Sequence, residues 1–273
     1  MRRLLNIRPR GGGRFILGAA PVLAMVAVYF FASEARHAAN PADKILPTFQ
    51  AMGDAIALMA FEVNARSGDI LLWKDTAASL QRLLAGLAIS TFITLVLGLA
   101  LGLLPLMRAT FSPLVAAIAV IPPIAVLPVL FIILGLGETA KIALIVIGVT
   151  PVMVRDLAAH IAAIPQEQIV KAQTLGASTW QTAIRVALPQ ALPRLIDSLR
   201  LSLCAAWVYL ISAEAIASDV GLGYRIFLVR RYLSMDIILP YVAWISLLAV
   251  LLDIGLAQFS RRAYPWAYAG RPA

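Results

Sequence analysis

The sequence predicts an all-α integral membrane protein with six transmembrane helices, both termini inside, and a folded cytoplasmic loop between the fourth and fifth spans. Three observations predict it. Of 273 residues, 61% are hydrophobic and 14% charged. The apolar residues come in long runs rather than in alternation. The basic residues collect on one side of the spans those runs define. A soluble domain carries about 25% charged and about 45–50% apolar residues, so this excess has no single globular core to fill. A bilayer is the solvent that accepts it. A membrane β-barrel is disfavoured, because its strands alternate apolar and polar residues.

Taking about twenty residues per crossing, the spans fall at 15–33, 84–107, 112–134, 139–154, 196–217 and 237–259. The third contains Pro122, Pro123 and Pro128, and the fourth is short and meets Pro151. With the N-terminus inside, the inner segments hold 14 basic residues (Arg2, Arg3, Arg8 and Arg10 among them) against Asp156, Glu167 and Asp197, a net +11. The outer segments sum to zero. This asymmetry is the positive-inside pattern, and it makes nucleic acid an unneeded explanation of the formal +9. One outer loop, 218–236, dissents by carrying Arg225, Arg230 and Arg231.

The organisation that follows is a basic cytoplasmic leader (1–14), a first helix (15–33), an external segment (34–83), a core of five helices (84–260) with its loop at 155–195, and a cytoplasmic tail (261–273). The first helix reads as an uncleaved signal anchor, since its apolar stretch exceeds the 7–15 residues of a signal peptide. In the external segment, Ile45, Phe49, Met52, Ile56 and Met59 recur at helical spacing, and Asn64–Gly68 reads as a turn. The lone cysteine, Cys204, lies in an apolar run and reads as a buried packing residue; it excludes any disulfide within the chain.

The loop 155–195 is too polar to cross and too patterned to be slack. Pro165 suits the first position of a helix. Glu167 then falls in the first turn, where the helix dipole favours negative charge, and Lys171 lies farther along. Gly176 after Leu175 is a left-handed stop. Ser178, with Gln181 three residues on, makes a capping box for a second helix, and Pro189 and Pro193 are expected to end it. Connectors in helical bundles run about two to eight residues. A doubly capped element of this length suggests a docking surface instead.

The run Lys171-Ala172-Gln173-Thr174-Leu175-Gly176-Ala177-Ser178, continued by Val186-Ala187-Leu188-Pro189, resembles the EAA loop of binding-protein-dependent ABC importer permeases. Ala172, Gly176, Leu188 and Pro189 stand at the family's motif positions. Lys171 replaces the family's Glu and Gln173 its third-position Ala. Pro122-Pro123 with Leu127-Pro128, then Gly135-Leu136-Gly137-Glu138, Ala213-Glu214-Ala215 and Gly221-Leu222-Gly223-Tyr224, resemble the nitrate/sulfonate/taurine branch. The resemblance implies a multi-pass permease subunit of a bacterial inner membrane that docks cytoplasmic ATPase subunits through its coupling loop. It further implies a homodimer and an external solute-binding protein. ATP and Mg would belong to the ATPase: this chain has no phosphate loop, since Gly11-Gly12-Gly13 is followed by Arg14 without the required spacing. The Lys-Ala-Gln-Thr-Leu-Gly version with Leu72–Thr76 also resembles permeases of urea- or guanidine-type compounds, so both solute classes stay open.

Several residues weigh individually. Glu214, near the outer end of the fifth span, lines the passage or pairs with an arginine of the 218–236 loop, because a lone carboxylate in a bilayer is costly. Asp253 carries the same question, with Arg261 and Arg262 two turns on. The three prolines of the third span free backbone carbonyls that need protein or water; such broken helices line substrate paths. Gly98 and Gly102 permit close helix approach. Trp73, Tyr264, Trp266 and Tyr268 flank span ends as interface anchors. His37 and His160 fall on opposite sides, so no metal site joins them. A membrane-embedded enzyme or a scaffold without a transport path is the competing reading. The enzyme would need ionisable groups clustered at one depth, and, with Asp197 counted at the inner edge of its span, only two carboxylates, Glu214 and Asp253, lie within the predicted spans.

Overall fold

The structure, a computed structural model, describes residues 11–40, 43–64 and 68–268. The leader arginines Arg2, Arg3, Arg8 and Arg10, the middle of the Asn64–Gly68 turn, and Arg271 lie outside the described residues. Within them the chain is helical throughout: α1 Gly11–Ala39, α2 Phe49–Phe61, α3 Leu71–Leu103, α4 Pro105–Val120, α5 Pro123–Leu134, α6 Glu138–Ala162, α7 Gln166–Thr174, α8 Thr179–Thr182, α9 Leu188–Ile216, α10 Leu222–Arg230 and α11 Met235–Ala263. Five stretches are long and apolar enough to cross a membrane, and the bent pair α4–α5 makes a sixth if it counts as one.

The core is a three-helix seam of α3, α6 and α9, with α3 packed most extensively on α6. Glycines set that contact. A Cβ at Gly86 would lie 2.8 Å from Ile145, one at Gly98 2.8 Å from Leu157, and one at Gly102 2.6 Å from Ile161. The constant offset of these pairs makes α3 and α6 parallel, and the small-residue spacing read at Gly98 and Gly102 is the close approach itself. Leu83, Leu144, Ile145, Met153, Leu157 and Leu210 close the seam with almost no exposure.

Helix α1 stands largely apart. Ile16, Leu17, Leu23, Met25 and Phe31 are exposed on it, the signature of a helix whose solvent is lipid. Its far end is tied down where Tyr29 donates to the Pro47 carbonyl at 2.7 Å and Ser33 to Leu46 at 3.0 Å. Thr48 caps α2 through the Ala51 amide, so Ile45 falls outside the helical stripe expected for it. Helix α2 packs on α3 and α11, with the Trp73 indole donating to the Ala60 carbonyl at 3.0 Å.

Besides α1 and α11, which outrun their predicted 15–33 and 237–259, four features differ from the sequence reading for a physical reason. Helix α3 begins at Leu71 rather than 84, because Asp75 and Arg82, which interrupt the apolar run, are buried in ion pairs. Helix α6 runs through Pro151 to Ala162, so the segment between spans is much shorter than 155–195. Its Asp156 is paired with Arg194 of α9. Pro189 and Pro193 do not end the second loop helix: helical structure continues from Thr179 to Ile216, through a π-helical turn at Ala183–Ala187. A π turn relaxes the backbone pattern at the place where Pro189 lacks an N–H. Lastly, the proline-rich third span breaks by 95° between Val120 and Pro123. Cys204, expected inside, is exposed on the outer face of α9.

Candidate functional site

One end of the bundle carries a small knob built from α7, the Gly176 turn and α8. Pro165 sits just before α7, one position earlier than expected, and Glu167 occupies the first turn. Gly176 has φ +81°. Its amide donates to Gln173 at 2.9 Å and the Ala177 amide to Ala172 at 3.0 Å, the paired bonds that close a helix around a left-handed residue. Thr174 returns its hydroxyl to the Lys171 carbonyl at 2.9 Å. Two residues on, the Ser178 hydroxyl accepts from the Gln181 amide at 3.2 Å while the Gln181 side chain accepts from the Ser178 amide at 2.9 Å. The expected capping box is complete.

The knob is pinned to the bundle and open to the outside. Gln190 of α9 donates to Gln168 of α7 at 3.0 Å, and Ile164 is buried beneath. Lys171 and Pro189 are exposed, while Ala172, Ala177 and Leu188 are half-buried. Leu175 is 88% exposed and Trp180 73% exposed, with Val170 and Ile184 beside them in sequence. Two large apolar side chains thus stand far out from a backbone fixed by caps.

The opposite end holds a cluster the sequence did not announce. Arg82 of α3 donates to Glu214 at 2.7 Å and to the Val220 carbonyl at 2.7 Å, and pairs through both prongs with Glu138. Lys141 joins Glu138 at 2.9 Å. Ser79 donates to both Glu214 oxygens. Asp75 takes the Arg225 guanidinium at 2.8 Å and the Tyr241 hydroxyl at 3.3 Å. Desolvation weakens the Arg225 base, but the Asp75 carboxylate outweighs it and leaves Arg225 a stronger base than usual.

The same side chains cap α10. The amides of Gly221, Leu222 and Gly223 donate to Asp75, Ser79 and Glu214 at 3.0, 2.8 and 2.8 Å. These are the orphan N–H groups of a helix start, met here by a hydroxyl and by two carboxylates that also suit its dipole. Only glycines fit. Gly221 has φ +137°, with the Glu214 carboxylate 2.6 Å from where a Cβ would sit, and a Cβ at Gly223 would lie 2.7 Å from the Ile211 carbonyl.

Glu214 is therefore fully enclosed, and in this conformation it is an anchor rather than a passage-lining group. Its partner is Arg82, not an arginine of the 218–236 loop. Arg225, one of that loop's three dissenting charges, is neutralised by Asp75. Asp253 pairs with Arg200 of α9 at 2.8 and 3.0 Å rather than with Arg261 or Arg262. Pro122 and Pro123 sit at the 95° break, with Pro128 exposed within α5. His37 and His160 lie at opposite ends of the bundle, and among the described residues no group of His, Cys, Asp and Glu is placed to hold a metal. A signal for the cluster did exist. Asp75, Ser79, Arg82, Gly86, Ser90 and Thr94 recur at spacings of three and four, a polar and small-residue stripe on an otherwise apolar helix.

Residues 90–263 match the family described as binding-protein-dependent transport system inner membrane component. The chain belongs to this family. The permease is 36% identical to the taurine transport system permease protein of Escherichia coli over 198 residues, 72% of each chain. It is 32% identical to the bicarbonate transport system permease protein of Synechococcus elongatus over 195 residues, 70% of this chain and 69% of that one. Its fold matches the MetNI methionine ABC transporter in an inward-facing conformation, with TM-score 0.56 and 25% identity, covering 67% of this chain and 93% of that one. The chain is thus the multi-pass inner-membrane subunit of an ABC importer, a transport component rather than an enzyme, with ATP hydrolysis on a separate subunit and a binding protein as its other partner.

Proposed function

We propose that the permease moves a small polar solute inward by alternating access, and that the α7–Gly176–α8 knob is where the ATPase grips it. The observation that carries this is the knob itself: a doubly capped backbone presenting Leu175 and Trp180 outward. Glu167, Lys171, Ala172, Thr174, Ala177 and Ser178 shape or flank the docking surface, and Leu188 and Pro189 join it to α9. The net +11 of the segments on this side supports a cytoplasmic knob with both termini inside. Two copies of the chain would face each other around the passage, with ATP and Mg on the ATPase and an external binding protein delivering the solute. The broken α4–α5 span, with Pro122, Pro123 and Pro128, is the element best suited to line that passage. The taurine and bicarbonate relatives favour a small anionic or zwitterionic solute over a urea- or guanidine-like one, in a bacterial inner membrane.

The test is Gly176→Trp. Its φ of +81° disfavours any side chain and its surroundings are open, so the substitution alters the docking surface without filling the core. Insertion is expected to be normal, while solute-stimulated ATP turnover and uptake fall together. Uptake at the unsubstituted rate would remove the docking role.

A further inference from the structure

A cleft of about 640 Å³ opens between α4 and the second half of α6, at the knob end of the bundle. Arg108, Ser112 and Val115 line one side, and Val152, Arg155 and Asp156 the other. Its one carboxylate is occupied, because Asp156 is held by Arg194 of α9 at 2.9 Å and through a second prong. Arg108 donates to the Leu101 carbonyl at 2.9 Å and to the Gly102 carbonyl. Those are the last turns of α3, where a cation suits the helix dipole, but among the described residues no carboxylate pairs with it. Arg155 is exposed, and among the described residues it makes no hydrogen bond or ion pair.

Arg155 lies seven residues before the end of α6, about 10 Å of helical rise. An exposed guanidinium that faces a cleft and has no partner there stays hydrated or takes up an anion. The cleft therefore offers two uncompensated cations and a hydroxyl, with no free carboxylate to repel an anion. A planar guanidinium donates in the two-pronged pattern that sulfonate, carboxylate, bicarbonate and phosphate groups accept.

We propose that this cleft is a binding site for a small oxyanion group, with Arg155 as its direct donor and Arg108 supplying a second positive charge. It rests on the permease reading only in treating the cleft as the inner mouth of the passage. The oxyanion has two possible sources, a solute in transit or the headgroup of an anionic lipid.

The test uses thiol chemistry as a probe of local charge. The full chain carries Cys204→Ala, to remove its exposed thiol, and Ser112→Cys, in discs of phosphatidylcholine. Rates are measured with a sulfonate-bearing and a trimethylammonium-bearing methanethiosulfonate, each normalised to free cysteine. The anionic reagent is expected to be preferred by roughly tenfold, the scale of one unit charge acting at short range in a partly aqueous site. Arg155→Gln should remove most of that preference and Arg155→Lys should keep its direction. Protection of the thiol by ethanesulfonate in phosphatidylcholine supports the solute as the source. Protection that appears only with phosphatidylglycerol supports the lipid headgroup. No charge preference, a preference indifferent to Arg155→Gln, or protection by neither anion overturns the proposal. Since Arg155 has no partner to lose, misfolding is checked by the elution profile of each variant. Failure to copurify an ATPase would undo the permease reading but leave these rates unchanged, so the two failures are distinguishable.

Discussion

Arg82→Met tests the buried cluster most directly. The Arg82 side chain is 5% exposed and Glu214 fully buried, whereas Glu138 is 57% exposed and can return to water. Removing the arginine leaves Glu214 as a carboxylate with only Ser79 and the Gly223 amide as donors. Breaking a buried pair from one side costs about 3–5 kcal/mol. Glu214→Gln should cost less, about 1–3 kcal/mol, because Arg82 keeps both prongs on Glu138 and its bond to the Val220 carbonyl. The double variant Arg82→Met/Glu214→Gln should cost clearly less than the two single losses added, since no unpaired charge remains. Equilibrium unfolding in mixed micelles with a rising fraction of sodium dodecyl sulfate, followed by tryptophan fluorescence, reads all three. The partly exposed Arg194–Asp156 pair supplies the comparison. If Arg82→Met costs no more than Arg194→Met, or the two single losses simply add, the cluster is not the anchor described above.

Other substitutions probe separate elements. Gly102→Leu places a side chain where Ile161 lies 2.6 Å from the first added carbon. It should destabilise the α3–α6 seam by about 1–3 kcal/mol in the same unfolding assay. Gly221→Ala meets both a φ of +137° and the Glu214 carboxylate, and should loosen α10, read as faster hydrogen exchange at residues 222–230 with α3 unaffected. Ser178→Ala deletes a cap worth about 1 kcal/mol; it should lower ATPase retention on copurification while leaving global unfolding nearly unchanged.

What the sequence revealed was local. Gly176 and the Ser178–Gln181 box are legible because their partners lie within five residues, and the backbone bonds follow from residue type alone. The cluster around Glu214 was not, because Arg82 stands 132 residues away and only the packing of α3 against α9 brings them together. The same burial hid the start of α3, since hydropathy counts Asp75 and Arg82 as surface residues until their partners are known. Pro189 and Pro193 misled for the converse reason. A proline rule assumes a regular α-helix, and the π turn at Ala183–Ala187 removes that assumption. Cys204 was placed inside because an apolar neighbourhood in sequence does not say which face of a helix a residue occupies, and in a membrane the outward face is apolar as well.

The unbroken run from Thr179 to Ile216 has a mechanical consequence. At the usual helical rise its 38 residues reach about 57 Å. Its near end is the capped turn proposed to meet the ATPase, and its far end bears the carboxylate that fastens α10. Torque applied at Ser178 travels along one continuous helical run to Glu214, crossing a single departure from regular α geometry. The π turn near its base is the one place where that run can twist before it moves.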